Sequence, residues 1–283
     1  LKANISQRGF TLVEIAIVLL IVAILLGYTV ALFPRQQELK QYRAANEDMD
    51  RIVEAILGFA QVNGRLPCPA IPNSNGLEDG GGAANCANYG GFVPVNTLGL
   101  NGRLNRDTLL IDPWGNPYRY YVTNADYDGD GVSDFVRGGE MRDIGLVDSD
   151  GDTYIDLDGQ YLICDGYGTS TDDLCTGAVE VFGNPAGAGG PYLGAPFVLL
   201  SMGKNWAATP INDELENRGA DLSLTNLGMP NGPSGNQYFL KDVSVETTFV
   251  RRTTGFADDF DDVVRWGSPS VLFSKMIEAD QLP

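Results

Sequence analysis

The chain has 283 residues, a formal charge of −18 and no histidine. Without imidazole, neither a Ser-His-Asp nor a Cys-His nucleophile system can be built, nor a zinc site with histidine ligands. An excess of 37 acidic over 19 basic side chains argues against a nucleic-acid partner and favours hard cations. Hydrophobic residues make up 43% of the chain, enough for a core. The charge is uneven. Lys2 and Arg8 make the first nine residues positive, while residues 126–173 hold 14 acidic and two basic side chains.

Residues 15–33 (IAIVLLIVAILLGYTVALF) carry no charge and are long enough to cross a bilayer as a helix. The run exceeds a signal-peptide core and no A-x-A-like site follows, so the segment is expected to stay with the protein. Lys2 and Arg8 precede it, and Arg35, Lys40 and Arg43 follow, so charge counting does not orient it. Cys68, Cys86, Cys164 and Cys175 lie beyond it and contain no CxxC. Four cysteines allow three pairings; the simplest is Cys68–Cys86 with Cys164–Cys175. Disulfides require an oxidising compartment, which places the part beyond the span outside the cytoplasm. Glu14 stands directly before the apolar run. Either it favours the positive end of a helix, or it needs a partner to enter the bilayer.

Arg8-Gly9-Phe10-Thr11-Leu12-Val13-Glu14 followed by an apolar helix resembles the N-terminus of type IV prepilins and type II secretion pseudopilins. The resemblance implies cleavage between Gly9 and Phe10 by a prepilin peptidase, methylation of the new Phe10 amine, and pairing of Glu14 with the Phe10 amine of a neighbouring subunit. It implies other pilin or pseudopilin subunits and an inner-membrane assembly platform as partners. The implied location is a single pass of the inner membrane with a periplasmic head, then a pilus or pseudopilus, with the cell surface as the farthest point a pilus would take it.

Residues 36–62 change character. Apolar side chains recur at Leu39, Tyr42, Ala45, Met49, Ile52, Ile56 and Ala60, in steps of three and four. That spacing predicts an amphipathic helix with one buried stripe. Asn63-Gly64 reads as its C-cap, and Pro34 as a kink. The chain therefore divides into a leader (1–9), a membrane or filament-core helix (10–34), an amphipathic helix (35–64) and a head (65–283).

In the head, residues 118–122, 161–163, 178–182, 196–201 and 243–249 read as strands between Gly- and Pro-rich turns. The predicted fold class is α+β and pilin-like, a long N-terminal helix packed on an antiparallel sheet. Residues 183–194 (GNPAGAGGPYLG) lack the Lys-Ser/Thr of a phosphate loop. Asp112-Pro-Trp-Gly-Asn-Pro-Tyr118 and Ser201-Met-Gly203-Lys-Asn205 resemble segments of major pseudopilins, with Trp114 and Tyr118 as packing anchors. The stretch from Asp261 through Trp266 to Pro283 resembles large prepilin-like proteins. Residues 124–195 read as an insertion relative to a small pseudopilin.

That insertion contains two aspartate loops. Asp126, Asp128, Asp130 and Asp134 occupy positions 1, 3, 5 and 9 of a calcium loop, with Gly131 at the sharp turn and the Val132 carbonyl at position 7. Asp148, Asp150, Asp152, Asp156 and Asp158 repeat the pattern, with Tyr154 at position 7. Position 12 is Arg137 in the first loop and Gly159 in the second, so neither is an EF-hand. Both are more similar to the aspartate repeats of thrombospondin type 3 modules. Glu140 is a candidate to close the first site from outside. The alternative is a pair of solvated acidic turns. Crowded carboxylates are unfavourable without a cation, so one or two calcium ions are expected. DxD spacing suits one cation better than the separated acids of a glycosidase.

The sequence thus points to a structural minor pilin or pseudopilin subunit with a calcium-stabilised head. A calcium-dependent adhesin displayed on the filament, using Tyr192 and the 183–194 loop, is the alternative. No nucleophile–base pair supports an enzyme.

Overall fold

Helix α1 runs from Leu12 to Asn63 in the computed structural model, and its helical assignment continues through Pro34. The structure describes residues 11–82, 84–127, 129–143, 161–165, 179–182, 194–204, 217, 222–223, 238–244, 247–251 and 262–282. Two compact units are present, Leu1–Ala44 and Ala45–Pro283.

In the first unit, every side chain from residue 11 to residue 26 is exposed. Among the described residues no helix is long and apolar enough to cross a membrane. The apolar run continues through residue 33, and the side chains of residues 27–35 are outside the described set. Leu39, expected on the buried stripe, is 49% exposed, and Tyr42 is half-buried. The stripe therefore starts later than its periodicity implies, because a helical pattern marks a face and not the point at which a partner begins to cover it.

In the second unit the stripe is realised. Ala45, Met49, Ile52, Ile56 and Ala60 are all buried. Fully burying one Met or Ile side chain contributes about 1.5–3 kcal/mol. The helix stops where the sequence places its cap. Gly64 takes a φ of +66° and donates its N–H to the Ala60 carbonyl at 2.9 Å. A left-handed turn of this kind costs glycine nothing.

The main sheet is antiparallel, with strands β1 (Gly90–Phe92), β2 (Arg119–Val122), β5 (Phe197–Ser201) and β9 (Val263–Trp266) in that spatial order. Strands β2 and β5 are buried at every position, as a sheet covered on both faces requires. Tyr120, Leu199 and Arg265 are in register and so share one face. Arg265 Nε donates to Asp50 of α1 at 3.0 Å, and its Nη2 donates to Asn46. That face therefore looks toward the helix. The opposite face, with Tyr121, Val198, Leu200 and Val264, packs with Tyr161, Ile163 and Phe249 in one core cluster. The Tyr121 and Phe249 ring centroids are 5.1 Å apart.

Ile163 and Phe249 belong to a second sheet, in which β3 (Leu162–Asp165) lies between β4 (Val179–Phe182) and β8 (Thr248–Arg251). The antiparallel sheet expected against the helix is the four-stranded one; this second sheet is mixed, with β3 and β4 antiparallel and β3 and β8 parallel. The strand expected over 243–249 also shortens. Val243 and Ser244 form a turn, in which Asp242 accepts the Ser244 N–H at 3.0 Å, and β8 begins at Thr248. A two-stranded pair, β6 (Leu222–Ser223) with β7 (Phe239–Leu240), and two further helices complete the described elements: α2 (Glu140–Asp143) and α3 (Pro269–Glu278). Helix α3 starts on Pro269 and buries Leu272 and Met276. Its Lys275 carbonyl accepts from Gln61 of α1 at 3.2 Å.

Candidate functional site

The first candidate site is the start of α1. Gly9 and Phe10 lie outside the described residues. Glu14 sits in the first helical turn, exposed. Its N–H donates to Thr11 Oγ1 at 3.3 Å, and its Oε2 accepts the Thr11 N–H at 3.4 Å. This reciprocal pair is a capping box, which satisfies two backbone donors that a helix start leaves open. The T-x-x-E spacing was visible in the sequence, and Thr11 is the residue that reading overlooked. A carboxylate held here also meets the positive end of the helix dipole. From this point the helix presents an uninterrupted apolar surface through Leu26.

The second candidate site is the first aspartate loop, in the other unit. Asp126 accepts the Gly129 and Gly131 N–H groups, one on each carboxylate oxygen and both at 2.9 Å. Asp130 accepts the Val132 N–H at 2.8 Å. Asp134 is fully buried, and its Oδ2 accepts the Tyr127 N–H at 2.8 Å. The Asp134 N–H in turn donates to the Ala125 carbonyl at 3.0 Å, closing the loop. Gly131 takes a φ of +84° at the position where a calcium loop turns sharply. The donors are carboxylates and a backbone carbonyl, the oxygen chemistry that calcium takes. A carboxylate oxygen that accepts one N–H keeps acceptor capacity. Asp128 and the whole second loop, Asp148, Asp150, Asp152, Tyr154, Asp156 and Asp158, lie outside the described residues. Among the described residues no three acids or cysteines form a metal-holding group. Glu140 faces Arg137 at 3.4 Å, an ion pair that gives its carboxylate a partner other than the loop.

The disulfide Cys68–Cys86 closes beside this loop, with its Cα atoms 5.5 Å apart. Cys175 lies outside the described residues, as does the side chain of Cys164. Arg65, just ahead of the closed segment, grips Glu78 inside it with two hydrogen bonds of 2.8 and 2.7 Å, and Glu78 also accepts the Cys68 N–H at 3.0 Å. The 183–194 loop, with Tyr192, is outside the described residues up to residue 193.

The two head segments singled out in the sequence, 112–118 and 201–205, are brought together, the second as far as Gly203; Asn205 lies outside the described residues. Asp112 Oδ1 accepts the N–H groups of Trp114 and Asn116 at 2.9 and 2.8 Å, and Oδ2 accepts the Ser201 hydroxyl at 2.6 Å. Asn116 donates to the Gly203 carbonyl at 2.5 Å. Burial pushes the Asp112 carboxyl up to about 6, against the opposing pull of Ser201 and the backbone donors. Tyr118 is buried and donates to Asp48 of α1 at 3.3 Å, whereas Trp114 is half-buried. Burial, then the neighbouring Asp48 charge, holds the Tyr118 phenol well above its ordinary range.

A long N-terminal helix followed by a four-stranded antiparallel sheet is a pilin-like α+β layout. Residues 5–30 match the family model for the prokaryotic N-terminal methylation motif, the signature of type IV pilins and pseudopilins. That motif implies processing by prepilin peptidase and assembly with other pilin subunits. It fits a protein anchored first in a membrane and then placed in a filament. No curated protein and no solved structure gives a match to the chain.

Proposed function

We propose that this chain is a structural minor pilin or pseudopilin subunit of a type IV pilus or type II secretion filament. Prepilin peptidase cuts it after Gly9. The apolar helix then holds it in the inner membrane, with the head in the periplasm, until it enters the filament. One observation carries this reading: the methylation motif of residues 5–30 opens a helix whose apolar side chains are all exposed through Leu26. Such a surface is costly in water and is satisfied by lipid or by like helices. Glu14 then exchanges or shares its Thr11 bond with the Phe10 amine of the next subunit, which offsets the carboxylate's burial. In the head, Asp126, Asp128, Asp130 and Asp134, with the Val132 carbonyl, hold calcium, and the 148–158 loop offers a second site of the same type. The calcium supplies charge neutralisation and loop order.

The test is mass spectrometry of the chain from cells with and without a prepilin peptidase. A mature chain beginning at N-methylated Phe10, seen with the peptidase alone, is the expected result. A mature chain beginning elsewhere overturns the proposal.

A further inference from the structure

The aspartate loop at 126–134 does not stand alone; it leans on the segment that the Cys68–Cys86 disulfide closes. Asn85, the residue before Cys86, spans the loop with its side-chain amide. Its Nδ2 donates to the Gly131 carbonyl at 3.2 Å, and its Oδ1 accepts the Ser133 N–H at 2.9 Å. These two groups flank Val132, so one side chain fixes the backbone on both sides of that residue. Two backbone contacts extend the seam: Gly138 donates to the Gly82 carbonyl at 3.1 Å, and Leu66 donates to the Phe135 carbonyl at 2.7 Å.

Asn85 is exposed and carries no covalent constraint of its own. What places it is Cys86. The disulfide ties Cys86 to Cys68, and Cys86 also bridges Gly80. The next residue, Ala87, donates to the Asp79 carbonyl at 3.1 Å. The freedom that Asn85 would have on an open chain is therefore removed before it meets the loop. An interaction made by pre-ordered groups loses less entropy than one made by free groups.

We propose that Asn85 is the positioning residue of the 126–134 loop, and that the Cys68–Cys86 bridge orders this loop through it. The disulfide and the loop then form one coupled pair, with the Asn85 amide as the link. One consequence rests on the calcium reading given above: calcium binding at this loop depends on the disulfide. The coupling is reciprocal, so a bound ion also makes the bridge harder to open.

The experiment uses the full chain in detergent, with Asn85→Ala, Cys68→Ala/Cys86→Ala and the triple variant. Two quantities are read: hydrogen exchange of the 126–134 amides without calcium, and calcium dissociation constants by titration calorimetry. The proposal expects faster exchange across 129–134 in Asn85→Ala and in the cysteine variant, at least tenfold for Ser133. It also expects at least tenfold weaker calcium binding in each, with the triple variant no weaker than the worse of the two. Asn85→Ala keeps the disulfide, so it decides the matter if the cysteine variant does not fold. Unchanged exchange in Asn85→Ala overturns the proposal, and so do effects that simply multiply in the triple variant. If the wild-type chain binds no calcium, the calcium reading falls, and the exchange data alone still decide whether Asn85 couples bridge and loop.

Discussion

Ser201, at the end of strand β5, donates a 2.6 Å hydrogen bond to Asp112, 89 positions earlier in the chain. Asp112 lies in a turn that its own carboxylate organises, so this one bond docks a finished turn onto the end of a central strand of the main sheet. Both residues are buried. The pair thus combines a local and a long-range role in a single carboxyl group.

A pH dependence follows. Burial raises the folded-state value of Asp112 to about 6, above its ordinary value of 3.8. The folded state therefore holds a proton that the unfolded chain has already released. Its contribution to stability is full below the ordinary carboxylate value and is lost as pH rises through about 6. The difference amounts to roughly 3 kcal/mol across that window. Asp112→Asn keeps an acceptor for the two turn N–H groups and has no charge to lose. Denaturant melts of the wild type and this variant at pH 4.5 and 7.5 should show the wild type losing ground at the higher pH and the variant staying level. A variant with the same pH slope as the wild type contradicts this account.

The buried stripe of α1 yields a positional contrast. Met49→Ala and Ile56→Ala remove fully buried side chains and should each cost about 2–5 kcal/mol. Leu39→Ala, on the same helical face by spacing but 49% exposed, should stay within about 0.5 kcal/mol. Chemical denaturation followed by near-ultraviolet circular dichroism reads all three.

The Arg65–Glu78 pair should be costly to break. Both side chains are mostly buried, and Glu78 also serves the Cys68 N–H. Removing one partner of a buried pair leaves a desolvated charge, so Glu78→Ala should destabilise by about 3–5 kcal/mol. Arg65 also lies over the Phe59 ring at 5.0 Å, so part of its environment survives the change. A loss below about 1 kcal/mol in the guanidinium-induced transition would show that solvent reaches the site freely.

Calcium removal provides a fourth measurement. An ion bound to the folded head alone stabilises it, by about 2.7 kcal/mol at a hundred times its dissociation constant. Chelation should lower the melting temperature of the wild type. It should have a smaller effect on Asp126→Asn, where the first position of the loop loses its charge. No shift on chelating a sample with demonstrated bound calcium would remove the ion from the account.

Much of this architecture could be read from residue patterns, and the exceptions have physical causes. The cap at Gly64, the buried run from Ala45 to Ala60 and strands β2 and β5 are written in local spacing. Arg265 looks like an ordinary surface cation in sequence. Its role in tying β9 to α1 appears only when Asp50, 215 positions away, is beside it. Strand β1 is Gly-Gly-Phe and has no strand signature. It forms because its neighbours allow close approach: a Cβ on Gly91 would sit 2.7 Å from the Ala70 carbonyl. In the aspartate loop the acids were evident from their spacing. Asn85 was not, because nothing marks an exposed asparagine until the disulfide brings it alongside.

The division of α1 at Ala44 and Ala45 has a practical meaning. Ahead of that point the apolar side chains are exposed from Leu12 through Leu26; behind it Ala45 is the first fully enclosed side chain of the head. Solubility and foldedness are thus encoded in consecutive stretches of one helix. Among the described residues every buried core side chain lies at or beyond Ala45, so an anchor exchanged ahead of this joint alters none of them.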